Sequence, residues 1–128
     1  MRSVAAVIAG YATMVVAVTT FFLFIVYVAL GGMPSDPKAF TPPVWLYVVE
    51  LATTPILAGL GGYVCAWIAR RREMHHALAL AVVLAVGGIV TTLVEPGPAW
   101  HGLALGALGV LGVPLGARLR IAHRDAVT

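Results

Sequence analysis

The chain has 128 residues, of which 61% are apolar and only 10% are charged, and its formal net charge is +3. This composition lies outside the range of soluble globular domains and indicates an integral membrane protein. The positive charge does not indicate a nucleic-acid partner, because the basic residues cluster at the ends of apolar segments. We therefore expect a lipid bilayer, and no nucleic acid, around the chain.

Four apolar segments are each long enough to cross a membrane, since about 20 helical residues span its hydrocarbon core. The predicted helices cover about residues 3–30, 44–69, 77–94 and 102–119 of one membrane domain, residues 1–128. Gly31 and Gly32 end the first helix, and the run from Glu95 to Pro98 ends the third, because neither of its prolines can continue a helix. The sequence thus predicts an all-α fold.

Basic residues mark one side of this bundle. The arginines that follow the second and fourth helices are Arg70, Arg71, Arg72, Arg118 and Arg120. Lys and Arg concentrate in cytoplasmic loops, so this side and both termini are predicted to be cytoplasmic. The expected architecture is an antiparallel bundle of four transmembrane helices in a bacterial inner (cytoplasmic) membrane. The same arginines are candidate contacts for lipid headgroups.

Small residues recur on one face of the fourth helix, at alternating steps of four and three. They are Gly102, Gly106, Gly109 and Gly116, with Val113 completing the series. An interior glycine costs about 1 kcal/mol relative to alanine in water, whereas in lipid a face of small residues lets another helix approach closely. The second helix carries a matching series, Ala58, Gly62 and Ala66. We predict that the two faces pack, either within one chain or between chains.

Glu50 is the ionisable residue that the second helix places within the membrane, about 9 Å of helix beyond the start of the span. An ionisable side chain at that depth is costly and usually faces protein or water. It belongs to a candidate polar site at the outer side, made of Glu50, Thr53, Thr54, Glu95 and His101. Such a cluster can pass a proton or hold a cation. Alternatively, Glu50 lies just below the headgroups and bonds to a neighbouring threonine or to His101.

The sequence contains no recognisable catalytic motif. HExxH-like metal motifs, glycine-rich phosphate loops and nucleophilic triads are absent. His75 and His76 are adjacent, so on a helix they point about 100° apart and cannot both bind one ion from a single face. We predict no enzymatic activity, no metal site and no cofactor.

Two functional hypotheses follow from these features. The leading one is a small non-catalytic accessory or scaffold subunit that packs, through its small-residue faces, as a homo-oligomer or against a larger membrane complex. The alternative is a homo-oligomeric transporter or channel that couples to protons or ions through Glu50. The two hypotheses differ in whether Glu50 faces a polar cavity or the headgroup layer.

Overall fold

The computed structural model describes residues 2–32, 35–36, 41–94 and 98–127. These residues form four α-helices: α1 (Arg2–Ala29), α2 (Val44–Ala69), α3 (Glu73–Val94) and α4 (Ala99–Val127). Each helix is long and apolar enough to cross a membrane. The prediction of an all-helical protein with four candidate membrane spans is thereby confirmed.

Two helices extend beyond their predicted bounds. Helix α3 begins at Glu73 and not at Ala77, because a carboxylate is favourable in the first turn of a helix. Helix α4 continues to Val127, past the predicted end at Leu119, and its last turns include the partner of Glu73 described below. The connection between α2 and α3 is therefore reduced to residues 70–72. Arg70 takes a left-handed conformation there, and its backbone N–H donates to the Ala66 carbonyl.

Helices α2 and α4 form the most extensive interface of the bundle, and their backbones nearly touch. A Cβ added at Gly62 would overlap the Val113 carbonyl, and one added at Gly116 would overlap the Gly59 carbonyl. Ala58 and Ala66, the other members of the predicted face of α2, are buried. The small-residue face of α2 thus meets the later part of the α4 face within one chain.

The glycine series of α4 divides between two neighbouring helices. A Cβ at Gly102 would overlap the Thr92 hydroxyl of α3, and Gly106 lies opposite Gly88 of the same helix. Only the later part of the series packs on α2, where Gly112, which the predicted series omits, also approaches Pro55 closely. A repeat of 3.5 residues drifts by about 20° per heptad around an α-helix, so the two ends of the series reach different neighbours.

The buried core draws small apolar side chains from all four helices. Its members are Ala6, Ala58, Cys65, Ala66, Ala77, Leu80, Ala81, Val113 and Ala117. Helix α1 joins this core at Gly10, where an added Cβ would lie 2.8 Å from the Gly61 carbonyl oxygen of α2. Within the described residues, α1 packs on α2 and α3, and its backbone does not approach that of α4. Helices α1 and α4 therefore lie across the bundle from each other, each against α2 and α3.

We predict that Gly116→Ala destabilises the protein, because its new methyl group must displace the α2 backbone. Such overpacking costs about 1–3 kcal/mol, more than the gain of about 1 kcal/mol in helix propensity. The matched control is Gly87→Ala on α3, where an added Cβ meets no atom within 4 Å. Unfolding of both variants in detergent micelles, followed by circular dichroism, measures the difference. Equal stability of the two variants would contradict the close α2–α4 contact.

Candidate functional site

The Glu50 carboxylate of α2 lies against the His101 imidazole of α4. Oε2 of Glu50 is 3.1 Å from Nε2 of His101, and the two side chains are 28% and 15% exposed. Nε2 of His101 has no hydrogen-bond partner among the described residues, so this approach is a close contact and not a hydrogen bond. The contact is therefore an ion pair whenever the imidazole is protonated. The close packing of α2 on α4 brings the two groups together.

Two aromatic rings surround the imidazole. The Tyr47 ring meets it edge to face, with centroids 4.6 Å apart, and the Trp100 ring lies 5.7 Å away at a similar angle. Tyrosine and tryptophan commonly sit at the depth of the membrane interface, and both lie in the first turn of their helices. We call this end of the bundle, defined by Tyr47, Glu50, Trp100 and His101, the aromatic end.

The threonines of the predicted polar site do not bond to the Glu50 carboxylate. The Thr53 hydroxyl donates to the Val49 carbonyl at 2.7 Å, and the Thr54 hydroxyl donates to the Glu50 backbone carbonyl at 2.6 Å. Each hydroxyl is thus satisfied by its own helix, a common arrangement for threonine within membrane helices. Of the two partners proposed for the Glu50 side chain, His101 lies in contact with the carboxylate, whereas the hydroxyls of Thr53 and Thr54 bond to backbone carbonyls. Glu95, the remaining member of the predicted site, lies outside the described residues.

A cleft of about 120 Å³ opens beside Glu50, between α1, α2 and α4. Its walls are mostly apolar and include Phe21 and Phe22 of α1 and Leu105 of α4. The polar residues lining it are Glu50, Thr53 and Thr54. Within the described part of the chain, Glu50 therefore borders a mostly apolar cleft and a histidine.

A second acid-base contact lies at the other end of the bundle, between the start of α3 and the last turns of α4. Glu73 is 6% exposed, and its Oε1 accepts a hydrogen bond of 2.6 Å from Nη1 of Arg124, whose Nε also contacts Asp125 at 3.0 Å. We call this end, defined by residues 70–73 and Arg124, the arginine end. Glu73 lies between the predicted bounds of the second and third helices, residues 44–69 and 77–94. A carboxylate directly after a basic run is a helix-start signal that could have identified its place in α3.

The arginines predicted to contact headgroups differ in their surroundings. Arg70, Arg71, Arg72 and Arg118 are exposed, whereas Arg120 is half-buried and its Nε has no hydrogen-bond partner in the described part of the chain. None of the arginines in the turn, residues 70–72, forms an ion pair with a described residue.

The described residues at the two ends of the bundle do not form a cluster of metal-binding side chains. Within residues 2–32, 35–36, 41–94 and 98–127, no group of three His, Cys, Asp or Glu side chains is placed to hold a metal ion. Comparison of the chain with protein-family models, curated proteins and solved structures finds no match.

We predict an energetic coupling of about 1 kcal/mol between Glu50 and His101, the size expected for neighbouring groups that interact directly. A double-mutant cycle with Glu50→Gln and His101→Phe measures it through the free energy of unfolding in micelles, and phenylalanine preserves the ring packing. The control cycle pairs Thr54→Val with His101→Phe and should show no coupling, because the Thr54 hydroxyl bonds to its own helix. Equal coupling in the two cycles would rule out a specific Glu50–His101 interaction.

Proposed function

We propose that this chain is a non-catalytic accessory or scaffold subunit of a membrane assembly, formed with copies of itself or with a larger membrane complex. The observation that carries the proposal is the cleft between α1, α2 and α4 at the aromatic end. Large apolar side chains of all three helices line this cleft, and the described residues do not fill it. Side chains of a partner helix would fill it, because packing drives helix association in lipid.

The proposed partner surface differs from the one that the sequence favours. The glycines of α2 and α4 pack on each other, on α1 or on α3, so these faces are occupied within the chain. In this proposal the glycines build the subunit, and the cleft receives the partner.

The proposal includes an antiparallel bundle with the start of α1 and the end of α4 in the cytoplasm. Support comes from the contacts between α3 and α4, which pair Glu73 with Arg124 at one end and Thr92 with Gly102 at the other. Further support comes from the arginines at the Glu73 end, because basic residues accumulate on the cytoplasmic side. A bacterial inner membrane is the proposed location.

Native mass spectrometry of the protein released from its source membrane in mild detergent tests this function. We expect a homo-oligomer or a complex with another membrane protein. We also expect Phe21→Ala to weaken the assembly at least severalfold, because Phe21 lines the cleft. Phe24→Ala is the matched control, since Phe24 is 60% exposed and does not line the cleft. A monomer without companions, or equal effects of the two substitutions, would contradict the proposal.

The Glu50–His101 contact favours one second candidate, a homo-oligomeric transporter or channel coupled to protons or ions. A carboxylate and an imidazole 3.1 Å apart can exchange a proton or hold a cation between them. The cleft beside them is small and mainly apolar, so further polar groups of the pathway would have to come from other copies of the chain.

Flux into proteoliposomes tests this second candidate. With an imposed membrane potential and an internal pH dye, the wild-type protein should acidify the vesicles faster than empty liposomes do. Glu50→Gln should lower the rate at least tenfold, because it removes the group that carries the proton. The control is His75→Gln, an exposed histidine of α3 remote from Glu50. Wild-type flux equal to that of empty liposomes, or full flux with Glu50→Gln, excludes a role for Glu50 in transport.

A further inference from the structure

A broad recess opens at the turn between α2 and α3. It has a volume of about 780 Å³, and the side chains that line it include Trp67, Ile68, His76 and the arginines at 70–72. All three arginines are exposed, and the Trp67 side chain at the end of α2 is 56% exposed. The recess therefore has a cationic wall beside an apolar wall.

The positive charge of this recess is not balanced by the described part of the chain. None of the three arginines forms an ion pair with a described residue. The nearest acidic residue in sequence, Glu73, already accepts a hydrogen bond from Arg124. Like charges on three successive residues repel one another, and an anion among them would relieve that repulsion. The electrostatics thus favour an anionic ligand.

The apolar wall indicates which anion fits. Trp67 and Ile68 belong to the last turn of a candidate membrane span, so this wall lies where a helix leaves the hydrocarbon region. An anionic phospholipid presents a phosphate next to apolar chains, whereas a free phosphate ion has nothing to place against an indole ring. Arginine is well suited to the phosphate, because its planar guanidinium can bind two oxygens at once.

We propose that the Arg70–Arg72 turn is a binding site for an anionic phospholipid. The guanidinium groups of the turn bind its phosphate, and an acyl chain lies along Trp67. This site is independent of the cleft at the aromatic end, and it operates whether the chain is a scaffold subunit or a transporter.

Quenching of Trp67 fluorescence by brominated lipids tests the proposal. The full chain carrying Trp45→Phe and Trp100→Phe keeps Trp67 as its one indole and is reconstituted in phosphatidylcholine bilayers. Phosphatidylglycerol or phosphatidylcholine with brominated acyl chains is added at equal low fractions. We expect stronger quenching by the anionic lipid, with a preference of about fivefold for each arginine that contacts the phosphate.

Two substitutions and one competitor make the result specific. Arg71→Gln should lower the preference for the anionic lipid about fivefold, whereas Arg118→Gln should change it little. Arg118 is also exposed and basic, but it does not line the recess. Millimolar inorganic phosphate should displace the anionic lipid no better than sodium chloride at the same ionic strength.

Three outcomes would overturn the proposal. Equal quenching by the two lipids means that the turn has no preference for anionic headgroups. If Arg71→Gln and Arg118→Gln lower the preference for the anionic lipid equally, that preference comes from the general surface charge and not from a site at the turn. Specific displacement by inorganic phosphate means that the site takes the free ion and not a lipid.

Discussion

The close approach of the α2 and α4 backbones is the contact on which the rest of this structure depends. Gly62 and Gly116 leave no room for a Cβ, so the two helices can lie together only because these positions carry none. Lipid offers no hydrophobic gain for bringing helices together, and association depends on tight packing of this kind. The same approach sets the Glu50 carboxylate against the His101 imidazole.

The two ends of the bundle differ in what surrounds their acid-base contacts. At the arginine end, Glu73 is buried and bound to Arg124, and many of the small core side chains lie nearby along the helices. At the aromatic end, Glu50 and His101 keep partial exposure, and α1 stands apart from α4. Both functional proposals therefore rest on the aromatic end, where the cleft lies beside Glu50.

The structure changes the weight of each functional argument. A helix face that is already packed within the chain is not free for a partner, so the glycines explain the fold of the chain itself. The scaffold proposal moves to the cleft between α1 and α4, whose walls include Phe21 and Leu105. The contact between Glu50 and His101 still supports the transport proposal. The mostly apolar walls of the cleft beside Glu50 weigh against a continuous polar path within one chain.

The sequence by itself determined the membrane class, the four helices and the residue types available for chemistry. Whether a segment spans a bilayer depends on its own length and hydropathy, which are local properties. Only the tertiary structure decided that the glycine series divides between α2 and α3, that Glu73 meets Arg124, and that α1 stays away from α4. Those contacts depend on how each helix is rotated and where it crosses its neighbours. Hydropathy cannot specify such rotation in a chain where nearly every helical face is apolar.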